Sequence, residues 1–443
     1  MPSKPSHALP VAQKTVRRSG AAAIMQTLGA RVFILANNVA TGMITARFLG
    51  AEGRGEQAAM IVWAIFFANL MTFGLPSALV YQFKRHPEDR SILFSAALVS
   101  GGILGTIATL IGIVLMPFWL SNYSPEVIFY ARLFMLLAPL GLLQQVFAAA
   151  FEASGDFAAA NQLRCLMPLV TLISLVMLAV TGQLTPLTSA MAYTLNSIPV
   201  FIWMLRRLWS RFKPQWRGLG KARRRLLTYG LRAYGNEMLN ALSLQLDQVL
   251  VVGLLSAEAM GIYVVALSLS RMLRVFQTSM TTVLFPKVAA QPLNEIVSLT
   301  SRVNRINLVL TLMVGVGLLG LGPALLQLMY GSEFTAATTV FRLLVAEIIL
   351  SGATQILAQA LMAAERPGVV TLVQASGIGL NAVLALILIP QYGLTGAGIA
   401  LVSATTMRLL LVLLSYPLVL RVRVPALVMG LDDVSYIRQK LGW

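Results

Sequence analysis

The chain is a series of apolar stretches, each long enough to cross a lipid bilayer, with short polar breaks between them. The stretch at 92–119 is typical, because it contains no charged residue. A run of about 20 apolar residues crosses a bilayer as a helix, which satisfies its own backbone hydrogen bonds. Only 11% of the residues are charged, whereas soluble domains average about 25%. The sequence therefore predicts an all-α polytopic membrane protein.

About twelve transmembrane helices are predicted, in two sets of six. The first set lies at 22–48, 57–82, 92–119, 127–152, 158–181 and 186–208, and the second at 228–255, 259–285, 306–330, 337–363, 368–390 and 396–420. The predicted domains are a cytoplasmic N-terminal tail (1–20), an N-lobe (21–208), a basic cytoplasmic linker (209–225), a C-lobe (226–421) and a cytoplasmic C-terminal tail (422–443).

The placement of the basic residues predicts the topology. A net charge of +18 could by itself indicate a nucleic-acid-binding protein. Most of the 34 Lys and Arg residues, however, fall on one side of the predicted spans, and nine of them lie between Arg206 and Arg225. Cytoplasmic loops of membrane proteins carry such an excess. We therefore expect a multi-pass protein of the bacterial inner membrane, with both termini in the cytoplasm and no nucleic-acid partner.

Cysteine and histidine are scarce. Cys165 is the only cysteine and the two histidines lie in polar segments, so we expect neither a disulfide framework nor a metal site of these ligands. The polar first twenty residues precede a long apolar run, which predicts a retained tail rather than a signal peptide.

One short motif occurs twice. The stretch "TARFLGAEGRGEQAAM" (45–60) matches "VVGLLSAEAMGIYVVA" (251–266), and further matches at a similar shift place Arg132 on Arg342 and Gln145 on Gln355. Within the motif, Leu49, Ala51, Glu52 and Gly55 fall on Leu255, Ala257, Glu258 and Gly261. Because six spans return the chain to its starting side, the two copies have the same orientation. Parallel repeats of this kind are typical of transporters whose substrate site lies between two lobes.

Charged residues inside the spans predict where the substrate binds. Charge within a span is costly, so it indicates a partner or a water-filled cavity. Arginines outnumber acids here, which favours an anionic group such as a phosphate. The predicted cationic cavity consists of Arg31, Asn38, Arg271, Arg274 and Arg408. The intramembrane acids Glu237, Asp247 and Glu347 all lie in the second copy.

Structural roles remain open for several of these residues. On the first helix of the second copy, Asn236, Asn240, Ser243 and Asp247 share one helical face. Polar side chains of this kind also hold helices together without any ligand. Asp247 is expected either to pair with an arginine or to sense a coupling cation. Glu347 is expected to pair with Arg342 or with Arg408.

The segments "TARFLGAEGRGEQAA", "LMYGSEFTAATTVFRLL" (328–344) and "GLTGAGIALVSA" (393–404) resemble the Wzx-type polysaccharide flippases of the MOP superfamily, over about 20–420. The resemblance implies two six-helix lobes arranged as a V. It also implies movement of undecaprenyl-pyrophosphate-linked oligosaccharide to the outer leaflet by alternating access, without a cofactor. The implied partners are membrane lipids and the polymerase or export machinery of polysaccharide assembly.

Two related families supply the alternatives, a MurJ-like lipid II flippase and a MATE-like cation-coupled drug exporter. Resemblance to MurJ-like proteins implies cavity roles for Arg31 and Arg47. It also implies a sodium site at Asp247, Asn381 and Thr405 or Thr406, with Ala385 in place of a second acid. Coupling to a Na⁺ or H⁺ gradient is therefore an expectation. A membrane glycan polymerase is disfavoured, because the predicted outer loops are short and nearly free of titratable groups.

Overall fold

A computed structural model describes residues 11–289 and 291–427; within this part, the side chains of 11–28, 30–32, 157–161, 163–165, 282–283 and 285–287 are not described. The described residues form helices and no strand. The α-helices are α1 Val11–Leu70, α2 Leu75–Arg85, α3 Arg90–Trp119, α4 Pro125–Met135, α5 Ala138–Ala153, α6 Phe157–Val180, α7 Pro186–Thr194, α8 Ser197–Phe212, α9 Leu219–Leu254, α10 Ala257–Ser270, α11 Arg274–Val288, α12 Leu293–Tyr330, α13 Thr338–Ala363 and α14 Pro367–Ser415.

These helices correspond to the predicted spans after two adjustments. Helix α1 contains the first predicted span and the beginning of the second, which meet at the non-helical Gly50 (φ 69°). Helix α14 contains the last two spans, which meet at the non-helical Gly393 (φ 57°). Four predicted spans, the second among them, are each divided by a short break, at 71–74, 136–137, 195–196 and 271–273. The all-α fold with about twelve membrane-spanning helices is therefore confirmed.

Length and hydropathy identify seven candidate membrane spans among the described residues. Five have lengths from 25 to 38 residues, while Phe33–Arg85 and Pro367–Leu420 have 53 and 54. A helix of that length would extend about 80 Å at 1.5 Å per residue, far beyond the bilayer core of about 30 Å. Each of these two segments therefore crosses more than once, with its reversal at the glycine.

The two copies of the repeated motif pack against each other. A Cβ atom at Gly55 would overlap the carbonyl oxygen of Ala257, and a Cβ atom at Gly261 would overlap that of Ala51. Because Ala51 aligns with Ala257 and Gly55 with Gly261, the contact is reciprocal. We call these four residues the corner contact. Glycine at both positions lets the backbones of α1 and α10 touch directly, as small residues do in membrane helix pairs.

Two polar contacts join the halves beside the corner contact. Arg47 donates through Nε to the carbonyl of Met329 (3.0 Å) and through a terminal nitrogen to that of Leu328, at the C-terminal end of α12. Glu333 accepts from the backbone N–H of Ala51 (3.1 Å), which begins the second part of α1. Both placements suit the helix dipole, which favours cations at the C-terminus and anions at the N-terminus. Arg47 thus joins the two halves, and its implied role in a cavity stays a prediction.

The halves also meet at the opposite end of α9. The backbones of Gly74 and Gly230 are in direct contact, and the Tyr234 hydroxyl donates to the Leu70 carbonyl (2.6 Å). Glu237 accepts from the hydroxyls of Thr72 (3.2 Å) and Ser77. We call this group of residues the linker-side contact, because it lies toward the start of α9. The molecule is therefore closed at two places along the boundary between the halves.

Several predicted boundaries differ from the helix ends. Helix α1 begins at Val11, inside the predicted N-terminal tail. The prediction used apolar residues to find the start of the helix, but the helix also includes polar residues before its apolar part. Within the predicted linker, α8 continues to Phe212 and α9 starts at Leu219, so the non-helical connection is only 213–218. The C-terminal tail lies outside the described residues from 428 onward.

Candidate functional site

The second half encloses a polar cavity of about 510 Å³ between α9, α11, α13 and α14. Half of its lining side chains are amides or hydroxyls, and two arginines and one carboxylate lie beside them. The polar members are Asn236, Asn240, Ser243, Arg274, Thr281, Glu347, Ser351, Thr354, Gln355, Gln359, Thr371, Gln374 and Arg408. Such a lining suits a strongly hydrogen-bonding ligand inside the membrane, since bilayer lipid offers these groups no partners.

Helix α9 supplies the polar face that its residue spacing predicts. Asn236, Asn240 and Ser243 line the cavity, whereas Asp247, one turn further along, lines a smaller adjoining space of about 20 Å³. α9 is not among the seven candidate spans, because these polar residues lower its hydropathy. A polar helix remains stable in the membrane when its polar face borders a cavity.

Two further polar faces line the cavity and were not predicted. On α13, Glu347, Ser351, Thr354 and Gln355 follow one another at helical spacing, and on α14 Thr371 and Gln374 do the same. This spacing is visible in the sequence and could have identified them. Only Glu347 and Gln355 were singled out, as an acid and as a repeat match.

The predicted arginines Arg274 and Arg408 line the same cavity but differ in their surroundings. The Arg408 guanidinium lies 3.7 Å from the Glu347 carboxylate, which selects one of its two expected partners. No carboxylate of the described residues forms an ion pair with Arg274. The two arginines and one glutamate give the cavity a formal charge of +1, and Arg274 carries the uncompensated charge.

Arg271 and Asp247 lie beside the cavity rather than in it. The Tyr263 hydroxyl donates to Asp247 (2.7 Å), and Arg271 donates to the carbonyl of Leu244 (3.2 Å). Arg271 also interacts electrostatically with Asp247. Asp247 is thus held within the half by a buried tyrosine and a nearby arginine.

No described side chain of the first half lines this cavity. Asn38 is exposed on α1 and is not among the lining residues. The Arg31 side chain lies outside the described residues. The grouping of these two residues with the arginines of the second half stays a prediction.

The predicted sodium ligands do not form a ligand set. Asp247 accepts from Tyr263, and the Thr405 hydroxyl donates to Glu347 (3.0 Å) while accepting from Arg408 (2.5 Å). Thr406 is exposed and donates to a backbone carbonyl of its own helix. Asn381 shares the small space of about 20 Å³ with Asp247, and Arg408 also lines that space. A guanidinium therefore lies among the oxygens that a sodium ion would need, and these residues do not fit the ion.

Similarity to known proteins extends over most of the chain at the level of fold. The lipid II flippase MurJ in an inward closed conformation matches with a TM-score of 0.76 at 14% identity, over 93% of this chain and 89% of that one. An inward-facing multidrug resistance MATE transporter of the MOP superfamily matches with a TM-score of 0.68 at 14% identity, over 85% and 92%. The expected MOP-type fold is therefore confirmed.

Two sequence comparisons are more specific. The probable low-salt glycan biosynthesis flippase Agl15 of Haloferax volcanii is 27% identical over 157 residues, which is 34% of this chain and 33% of that protein. The match thus spans about a third of the curated relative. The family described as "Polysaccharide biosynthesis protein" matches residues 44–339. This match covers more than half of the chain and includes both copies of the corner motif, and the chain therefore belongs to the polysaccharide biosynthesis protein family.

Proposed function

We propose that this protein is a flippase for a lipid-linked, anionic oligosaccharide. The substrate that the resemblance to Wzx-type flippases implies is an undecaprenyl-pyrophosphate-linked glycan, which would be carried from the cytoplasmic to the outer leaflet of the bacterial inner membrane. The observation that carries the proposal is the cavity of about 510 Å³, where Arg274, paired with no acid in the part of the chain that the structure describes, lies among amides and hydroxyls. Membership of a polysaccharide biosynthesis family supports it.

The cavity would bind the two polar parts of the substrate differently. The Arg274 guanidinium would form charge-assisted hydrogen bonds to a phosphate oxygen. Asn240, Gln355 and Gln374 both donate and accept, which suits sugar hydroxyls. The lipid chain would remain in the bilayer, so only the headgroup needs a polar path.

Alternating access would use the two contacts between the halves. Parting the linker-side contact would admit a headgroup from the cytoplasm, and parting the corner contact would release it outside. The fold likeness to MurJ and MATE transporters is compatible with such a cycle. The proposed activity is transport rather than catalysis. The translocated glycan would then pass to the polymerase or export machinery of polysaccharide assembly.

The test is transport of a fluorescent undecaprenyl-pyrophosphate oligosaccharide in proteoliposomes. We expect the wild-type protein to translocate it and Arg274→Ala to lose about tenfold to hundredfold in rate, because a hydrogen bond to a charged group contributes about 1.5–3 kcal/mol. Arg342→Ala is the matched control, since Arg342 is an exposed arginine outside the cavity, and it should retain the wild-type rate.

Two results would contradict the proposal. Equal rates for Arg274→Ala and Arg342→Ala would remove Arg274 from the substrate site. Failure of the wild-type protein to move the glycan, together with export of cationic dyes, would favour the drug-exporter alternative.

A further inference from the structure

Arg408 lies inside the second half in a closed set of contacts. Its guanidinium is 3.7 Å from Glu347 and donates to Thr405 (2.5 Å), whose hydroxyl donates in turn to Glu347 (3.0 Å). The Glu347 side chain is only 7% exposed. A buried carboxylate that stays ionised needs a compensating cation, and Arg408 provides it from within the same half.

Arg408 lies in the part of α14 after the Gly393 break, and the part before the break is shaped to receive it. A Cβ atom at Gly377 would overlap Cγ and Cδ of Arg408. The aliphatic part of the Arg408 side chain therefore packs directly on the backbone of a glycine. Gly377 is helical and has a negative φ, so its backbone conformation does not require glycine. Close packing against Arg408 therefore accounts for glycine here.

The same guanidinium lies where a coupling cation would have to bind. Arg408 lines both the large cavity and the small space that contains Asp247 and Asn381. A second positive charge entering this space would be repelled by the guanidinium and would find Thr405 and Glu347 already bonded. A tethered cation also has the advantage of a high effective concentration over a free one.

We propose that Arg408 is a tethered counter-cation for Glu347 and makes this protein independent of sodium. The arginine occupies the role that a free alkali cation would otherwise fill, so the buried carboxylate stays compensated in any salt. The consequence for transport rests on the proposed function: the glycan should move at the same rate in a Na⁺ buffer and in a buffer with an organic cation. The ion-binding property itself does not depend on the substrate.

The experiment measures thermal unfolding of the purified full-length protein in detergent. Each variant is titrated with NaCl and, at equal ionic strength, with N-methylglucamine chloride. We expect no sodium-specific change in the unfolding midpoint of the wild type. In Arg408→Ala the uncompensated Glu347 should bind Na⁺, and the midpoint should rise saturably by several degrees, since a ligand that binds only the folded state stabilises it.

Two variants control for the loss of an arginine and for its partner. Arg274→Ala removes an arginine of the same cavity that pairs with none of the described carboxylates, and it should show no sodium effect. The double variant Arg408→Ala with Glu347→Gln removes both charges and should also show none. Arg408→Gln, closer in shape to arginine, repeats the first variant should Arg408→Ala fail to fold.

A sodium-specific, saturable rise of the unfolding midpoint in the wild type would overturn the proposal. The proposal would also be overturned if Arg408→Ala and Arg408→Gln fold but their midpoints show no sodium-specific rise. Neither result depends on a transport assay. Failure of the proposed substrate to move, with the ion-binding results as expected, would instead count against the flippase proposal alone.

Discussion

At the scale of single residues, the second half depends on one glycine and one arginine that lie on the same helix. Gly377 leaves room for the stem of Arg408, and Arg408 compensates Glu347 on the neighbouring helix. The pairing of Glu347 with Arg408 was one of two predicted alternatives. The sequence could not decide between Arg342 and Arg408, because the choice depends on how α13 and α14 pack.

Gly377→Ala should destabilise the protein by about 1–3 kcal/mol, since the new methyl group forces the Arg408 stem aside in a packed interior. Thermal unfolding in detergent measures this change. Gly379→Ala, two residues along the same helix, is the control. No atom lies within 4 Å of a Cβ at Gly379, so this substitution should be neutral or stabilising by about 1 kcal/mol through helix propensity. Equal midpoints for the two variants would show that Gly377 is not required for packing.

At the scale of helices, polarity was easier to predict than continuity. The face of α9 followed from the spacing of Asn236, Asn240 and Ser243, and the faces of α13 and α14 could have been found in the same way. The breaks were harder to predict, because apolar residues continue through them. The interruption at 136–137 precedes Pro139, and the one at 71–74 includes left-handed Phe73 and Gly74, whose conformation depends on the contact with Gly230.

The corner contact between α1 and α10 yields the prediction at this scale. Gly55→Val should separate the two helices, because its side chain would overlap the Ala257 carbonyl. A cysteine at the buried position Ala51, in a Cys165→Ser background, should then react faster with a membrane-impermeant thiol reagent. Gly42→Ala is the control, since its Cβ would make only ordinary contact with Tyr330 at 3.7 Å. Unchanged labelling in Gly55→Val would mean that the corner tolerates the added bulk.

At the scale of the whole molecule, the number of spans and the repeat were predictable from the sequence, but the meeting of the halves was not. The repeat identified the corner twice without indicating that its copies touch. Glu237 was recognised as an intramembrane acid, yet its contacts with Thr72 and Ser77 lie about 160 residues away in the chain. Such contacts depend on the assembled helices rather than on any local pattern.

The linker-side contact should have to part for transport. Ser77→Cys combined with Glu237→Cys, joined by a short bifunctional thiol crosslinker in a Cys165→Ser background, should stop movement of the fluorescent glycan. A cleavable crosslinker should restore movement after reduction. Either cysteine alone, treated in the same way, controls for the chemistry and for the loss of the Glu237 carboxylate. Full transport by the crosslinked protein would show that this contact stays closed throughout the cycle.

The reciprocity of the corner contact bears on the origin of the chain. Ala51 meets Gly261 and Gly55 meets Ala257, so each copy offers the surface that the other receives. A surface of this kind is self-complementary, as in a two-fold symmetric dimer. A single six-helix ancestor with this motif would therefore already have paired with itself. Duplication and fusion of its gene would have needed no new interface, only the short connection at 213–218. Divergence was then free to give the second copy its intramembrane acids while the shared corner stayed the same.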